Sequence, residues 1–254
     1  MHCFIIGHPL KNPRSVKLWK AYFKKNNMKL SMSPLDIKPR YFKREIKKIL
    51  KDDNFFASAI TMPYKKNIKK YIYIKDKISK YANSINFIIK TKKKIVGYNT
   101  DVYGALKTLK RLNKSKVIIY GFGGSGEAIF RTLYRLHPKM KFNVITKKKI
   151  NRFNIKRVNF TKEIDLNFLK ETDLFVNCSP LGSNLNKKYL LKSPLNTNEL
   201  QLFKKKSTIF DIVYSPKTTL LNKMCKKLSI NYINGLKMNT EQANKALKII
   251  KKNY

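Results

Sequence analysis

The stretch VIIYGFGGSGEAIF, residues 117–130, restricts the fold of this chain more than any other. A short apolar run, Val117 to Tyr120, leads straight into Gly121, Gly123 and Gly126, after which Ile129, Leu133 and Leu136 recur at helical spacing. In such a G-x-G-x-x-G pattern the first glycine permits a tight turn, the second lets a phosphate approach the backbone, and the third allows the helix to pack closely on the strand. The helix N-terminus then offers N–H donors and positive partial charge to an anion. Strand, turn and helix in this order open a Rossmann-type dinucleotide-binding unit, with Gly121, Gly123, Gly124, Ser125 and Gly126 as its cofactor-binding candidates. The end of the next strand narrows the cofactor. An NAD site usually presents an acid to the ribose hydroxyls there, whereas this chain reads VITKKK, and Thr146, Lys147 and Lys148 suit the 2′-phosphate of NADP.

Apolar and amphipathic runs alternate on both sides of this motif. CFIIG, KLSMSPLDI and FFASAITM read as strands, SVKLWKAYFKKN and YFKREIKKILKD as the helices between them. That βαβαβ order implies parallel strands with helices packed on the sheet. SINFIIKT and KIVGY are two further strands, followed by a helix that starts close to Asp101. In the second block KVIIY, FNVIT, DLFVN, TIFDIV and INYI are the expected strands, and NTEQANKALKIIKKN is a last helix expected to return to the first domain. The expected organisation is two closely apposed α/β domains: residues 1–101 with 236–254 for substrate, and 102–235 as the Rossmann-type NADP-binding domain.

Composition removes several alternatives. The 57 Lys+Arg against 14 Asp+Glu give a formal charge of +43, spread along the whole chain and accompanied by abundant Asn, Ile, Tyr and Phe, as an AT-rich coding bias produces. Such a surface attracts polyanions non-specifically, but no RNA-recognition module with aromatic stacking motifs stands out, and no specific nucleic-acid partner is expected. Cys3, Cys178 and Cys225 are too few and too distant for a disulfide framework, and no leader or spanning segment is readable, so a cytoplasmic protein is expected. His2, His8 and His137 are scattered, and no metal is expected. A G-x-S-x-G elbow and a Gly-Lys-Ser/Thr loop are both missing.

Lys65 and Asp101 remain. Each follows an apolar run at a strand end, where open α/β sheets place their ligands, and together they could carry a proton to or from a substrate oxygen.

Read together, these segments resemble the shikimate dehydrogenase family over nearly the whole chain. IIGHPLKNPRSV resembles its opening substrate loop, SAITMPYKK its N-V-T-x-P-[FY]-K segment, ANSINFI its G-A-x-N-T, and GYNTDVYG its G-x-N-T-D-x-x-G. GFGGSGEA is similar to its glycine loop, VNCSPLG to N-[AC]-[ST]-P-x-G, FDIVYSPKTTLL to D-x-x-Y-x-P-x-x-T-x-L-L, and GLKMNTEQA to G-x-x-M-x-x-x-Q-A. The resemblance implies NADP-dependent reduction of 3-dehydroshikimate to shikimate by a monomer or homodimer without a membrane partner. It casts Lys65 as the catalytic lysine and Asp101 as its partner. Ser15, Thr61, Asn86, Tyr214 and Gln242 fall on substrate-binding positions, and Gly235 on a cofactor-binding one. It also implies closure about hinges near residues 101 and 235. Departures occur at Pro13, which stands where the family has a serine, at Ala59 in place of asparagine, and at Lys237 in place of glycine. Arg14 is the candidate to compensate for the serine lost at Pro13. Two alternatives stay open: an enzyme that also takes quinate, and a catalytically degraded basic scaffold that binds RNA.

Overall fold

A computed structural model describes residues 1–11, 13–109, 115–147 and 156–254. The chain divides into two compact units, Met1–Ala105 with Thr240–Tyr254, and Leu106–Asn239. Both divisions fall inside helices, Thr100–Leu109 and Gly235–Asn253, rather than in loops.

In the first unit, six strands form one sheet: β1 (His2–Gly7), β2 (Ser31–Asp36), β3 (Phe55–Ile60), β4 (Tyr73–Ile74), β5 (Phe87–Lys90) and β6 (Ile95–Tyr98), ordered β2-β1-β3-β5-β6-β4. β1 lies parallel between β2 and β3, as the βαβαβ pattern requires. β5 runs antiparallel to β3, and β6 antiparallel to β5. The sheet is therefore mixed, because residues 91–94 between β5 and β6 are too few for a crossover and must form a hairpin.

Both faces of this sheet are covered, which explains strands that are apolar at consecutive positions. Cys3, Ile5, Ala57, Phe87 and Ile89 point to one face, where Trp19 and Phe23 of the helix Arg14–Lys25 meet Ala246, Leu247 and Ile250 of the C-terminal helix. Ile6, Phe55 and Ile88 point to the other, against Phe42 and Ile46 of the helix Phe42–Lys51 and against Tyr64. From Thr240 onward the C-terminal helix thus belongs to the core of the first unit.

The second unit is an all-parallel sheet of β7 (Lys116–Tyr120), β8 (Lys141–Ile145), β9 (Val158–Thr161), β10 (Leu174–Asn177), β11 (Thr208–Asp211) and β12 (Asn231–Asn234). Its order, β12-β11-β10-β7-β8-β9, is the doubly wound 3-2-1-4-5-6 arrangement read from the far edge. Strand order reverses between β7 and β10, so the glycine loop after Tyr120 and the segment after Asn177 leave the sheet side by side. The helix Gly124–Leu136 packs through Ile129, Phe130 and Leu133, whereas Leu136, at its end, is 39% exposed. β9 is the one strand of this sheet that hydrophobic patterning does not disclose.

Candidate functional site

In the first unit the site grows from the end of β3. The Thr61 N–H donates to the Ile6 carbonyl at 2.9 Å, and the Tyr64 N–H closes the turn onto the Thr61 carbonyl at 2.9 Å. Tyr64 anchors that turn: it is 1% exposed, its ring stacks on Phe42 at 4.0 Å, and its hydroxyl donates to the Ile37 carbonyl. Gly7 makes the arrangement possible, since a Cβ there would lie 2.3 Å from Thr61 Cγ2 and 2.9 Å from the Met62 carbonyl oxygen. Lys65 follows immediately, its carbonyl held by the Ile85 N–H at 2.7 Å.

Lys65 Nζ donates to Asp101 Oδ2 at 2.6 Å, and each side chain keeps 16% of its surface exposed. Asp101 lies in the first turn of the helix Thr100–Leu109, where the helix dipole favours a carboxylate. Its other oxygen, Oδ1, accepts from Asn86 Nδ2 at 2.9 Å. The Asn86 amide cannot turn over without loss, because its Oδ1 accepts the Thr100 N–H at 2.6 Å. Asn86 Nδ2 also reaches Thr100 Oγ1 at 2.9 Å and Gln242 Oε1 at 3.4 Å, and Thr100 Oγ1 donates to Gln242 Oε1 at 3.1 Å. Four of the residues singled out from sequence, Lys65, Asn86, Asp101 and Gln242, are thereby joined in one hydrogen-bonded network. Thr61 stands four positions before Lys65 on the same turn, and Ser15 is half-buried in the first turn of the helix Arg14–Lys25. Thr100, 1% exposed and central to the network, and Gly7 were not singled out. The GYNTDVYG pattern contained Thr100, but only its burial reveals its work.

In the second unit the glycine loop has the geometry its spacing requires. Gly121 adopts φ +94°, and a Cβ there would lie 2.9 Å from the Ser179 nitrogen; a Cβ on Gly126 would lie 2.0 Å from the Gly121 carbonyl oxygen. At Gly123 and Gly124 a Cβ would meet nothing within 4 Å. These two glycines are not demanded by the packing of the chain itself, and they leave backbone open at the start of the helix Gly124–Leu136, which Gly123 caps without a side chain. An open helix N-terminus without a side-chain cap, with Ser125 in its first turn, fits the pyrophosphate of a dinucleotide. At the end of β8, Thr146 is buried with its N–H on the Thr161 carbonyl at 2.9 Å, and Lys147 is exposed. Lys148 lies outside the described residues.

Tyr214, 40% exposed, follows β11 on a loop pinned by Asp211. That fully buried carboxylate accepts from Asn177 Nδ2 at 2.9 Å, the Val213 N–H at 3.0 Å, Tyr232 Oη at 2.8 Å and Thr219 Oγ1 at 3.3 Å. Burial outweighs these donors and pushes its pKa up to about 6. Gly235 is fixed by close approach, a Cβ there falling 2.1 Å from the Ile212 carbonyl oxygen. Among the described residues, no group of three or more His, Cys, Asp or Glu is placed to hold a metal ion.

A mixed-sheet α/β unit with a lysine–aspartate pair at its strand ends, joined in one chain to a Rossmann-type unit, defines a two-domain nucleotide-dependent oxidoreductase. A model of the shikimate dehydrogenase substrate binding domain matches residues 5–88. The shikimate dehydrogenase (NADP(+)) of Clostridium botulinum is 31% identical over 254 residues, covering 96% of this chain and 93% of the relative. Among solved structures, a shikimate dehydrogenase in complex with NADP+ is 25% identical with a TM-score of 0.82, covering 98% of this chain and 89% of that one. The Thermotoga maritima shikimate dehydrogenase is 25% identical with a TM-score of 0.80, covering 98% and 93%. The chain belongs to the shikimate dehydrogenase family.

Proposed function

We propose that this protein catalyses the NADPH-dependent, reversible reduction of 3-dehydroshikimate to shikimate on the route to chorismate and the aromatic amino acids. The observation that carries the reading is the 2.6 Å contact between Lys65 and Asp101, tied through Asn86 to Gln242. Bound NADPH supplies a hydride to the ketone carbon of the substrate. Lys65, as an ammonium, gives a proton to the ketone oxygen as it becomes an alkoxide. Asp101 holds the lysine in place through Oδ2 while Asn86 occupies Oδ1, so the lysine's approach to the substrate is fixed before reaction.

Thr61, Asn86, Tyr214 and Gln242 contact substrate hydroxyls or carboxylate, and Ser15 takes the carboxylate, with Arg14 compensating for the serine that Pro13 replaces. Gly121, Gly123, Gly124, Ser125, Gly126 and Gly235 line the cofactor backbone, and Thr146, Lys147 and Lys148 take its 2′-phosphate. Residues 1–101 and 236–254 form the substrate-binding domain and 102–235 the NADP-binding domain. The partner is this small molecule rather than a specific nucleic acid, and the protein acts in the cytoplasm as a monomer or homodimer. Among the described residues no helix is long and apolar enough to cross a membrane.

The test is an absorbance assay of nicotinamide reduction with shikimate or quinate, each with NADP+ or NAD+. Reduction with shikimate and NADP+ well above the other three combinations is expected. No turnover with shikimate would overturn the proposal, and equal turnover with quinate would replace it with a broader specificity.

A further inference from the structure

We infer that Asn99 is a positioning residue for the Lys65–Asp101 pair. The inference rests on the reading of that pair as the proton-handling groups. Asn99 is 4% exposed and bonded through its side-chain oxygen, side-chain nitrogen and backbone nitrogen. Its Oδ1 accepts the Val102 N–H at 2.9 Å and so caps the helix that carries Asp101. Its Nδ2 donates to the Ser84 carbonyl at 2.8 Å and to Ser84 Oγ at 3.0 Å. Its backbone N–H donates to Ser79 Oγ at 2.6 Å, and Ser79 Oγ donates in turn to Asp76 Oδ2 at 2.6 Å.

The spacing gives these bonds their meaning. Ser84 lies two residues before Asn86, and Asn99 two residues before Asp101. One amide therefore clamps together the two segments that deliver Asn86 and Asp101 to each other. The clamp is dry: Ser79, Ser84 and Thr100 are each 1% exposed, so water cannot substitute for a lost partner. It acts on a contact with little tolerance, since both oxygens of Asp101 are committed at 2.6 and 2.9 Å. Helix capping alone would accept serine, threonine or aspartate at position 99. Only asparagine supplies an acceptor for Val102 together with donors for Ser84; aspartate would set a carboxylate against the Ser84 carbonyl, and serine is too short to reach it.

Asn99→Ser separates the two tasks, because serine still caps the helix but releases Ser84. In the purified full-length protein, kcat for shikimate oxidation is expected to fall about tenfold or more, as misplacement near a reacting centre does. The Kd for NADPH, read by its fluorescence, should stay within about twofold. Added to Asp101→Asn, the Asn99→Ser change should cost no further activity, because it acts through that carboxylate. A general loss of folded protein would instead lower both backgrounds alike. If Asn99→Ser does not fold, Ser79→Ala is the smaller perturbation of the same clamp, and a fall in its kcat at unchanged NADPH affinity is expected. Wild-type kcat in Asn99→Ser, or in Ser79→Ala where that is the variant measured, overturns the positioning role while Lys65→Ala remains inactive. An active Lys65→Ala would instead overturn the underlying assignment.

Discussion

Four donors converge on the buried carboxylate of Asp211, yet burial raises its pKa from 3.8 to about 6. A carboxyl that is harder to ionise in the folded than in the unfolded chain supports folding fully below pH 3.8, and that support is lost as pH rises through about 6. Relative to Asp211→Asn, the wild type should therefore lose about 2 kcal/mol of stability between pH 4 and pH 7. The amide is a fair reference, because the hydroxyls of Tyr232 and Thr219 can turn to accept its N–H groups. Urea unfolding of both proteins at the two pH values measures the difference, and a constant difference would contradict it. Legibility at this scale depends on what surrounds a side chain. Lys65 stood out only because Pro63, Thr61 and the distant Asp101 framed it among many other lysines. Asn99 and Thr100 stood in the GYNTDVYG motif, but the motif did not disclose their roles, which come from burial and from partners elsewhere in the chain.

Strands, helices and the loops between them were legible wherever periodicity was strong. β1, β3, β7, β8, β10 and β11 coincide with apolar runs, because strands covered on both faces must be apolar at nearly every position, whereas the edge strands β2 and β12 are partly exposed and only partly apolar. Strand direction was not written in those runs; the reversal at β5 and β6 follows from the length of their connection. β9 escaped because Val158–Thr161 is short and partly polar, and its strand state comes from pairing with β8. The glycine loop permits a sharper statement, since its glycines are required for different reasons. Gly126→Ala drives a Cβ into a carbonyl oxygen 2.0 Å away and should cost about 3 kcal/mol. Gly124→Ala meets nothing in the chain and exchanges glycine for a better helix former, so the melting temperature should hold or rise slightly. On the proposed cofactor placement, in which the phosphates approach position 124, its Kd for NADPH should rise roughly tenfold. Calorimetry of each variant with NADPH decides this, and wild-type affinity in Gly124→Ala would contradict the cofactor placement.

For the molecule as a whole, the formal charge of +43 on 254 residues sets a cost that no single contact reveals. Like-charge repulsion opposes the compact state and is screened as the Debye length shrinks from about 30 Å at 0.01 M salt to about 8 Å at 0.15 M. The melting temperature should accordingly rise over that range of KCl, and an unchanged midpoint would contradict the argument. At this scale the family was legible because eight motifs fall in the same order along one chain, an agreement that the +43 composition does not obscure. The proposed reaction depends on Lys65 acting as the proton donor beside Asp101. The most direct measurement is kcat of Lys65→Ala for shikimate oxidation, alongside its Kd for NADPH. The predicted result is a loss of at least about 100-fold in kcat with cofactor affinity unchanged; retention of most of the wild-type kcat would contradict it.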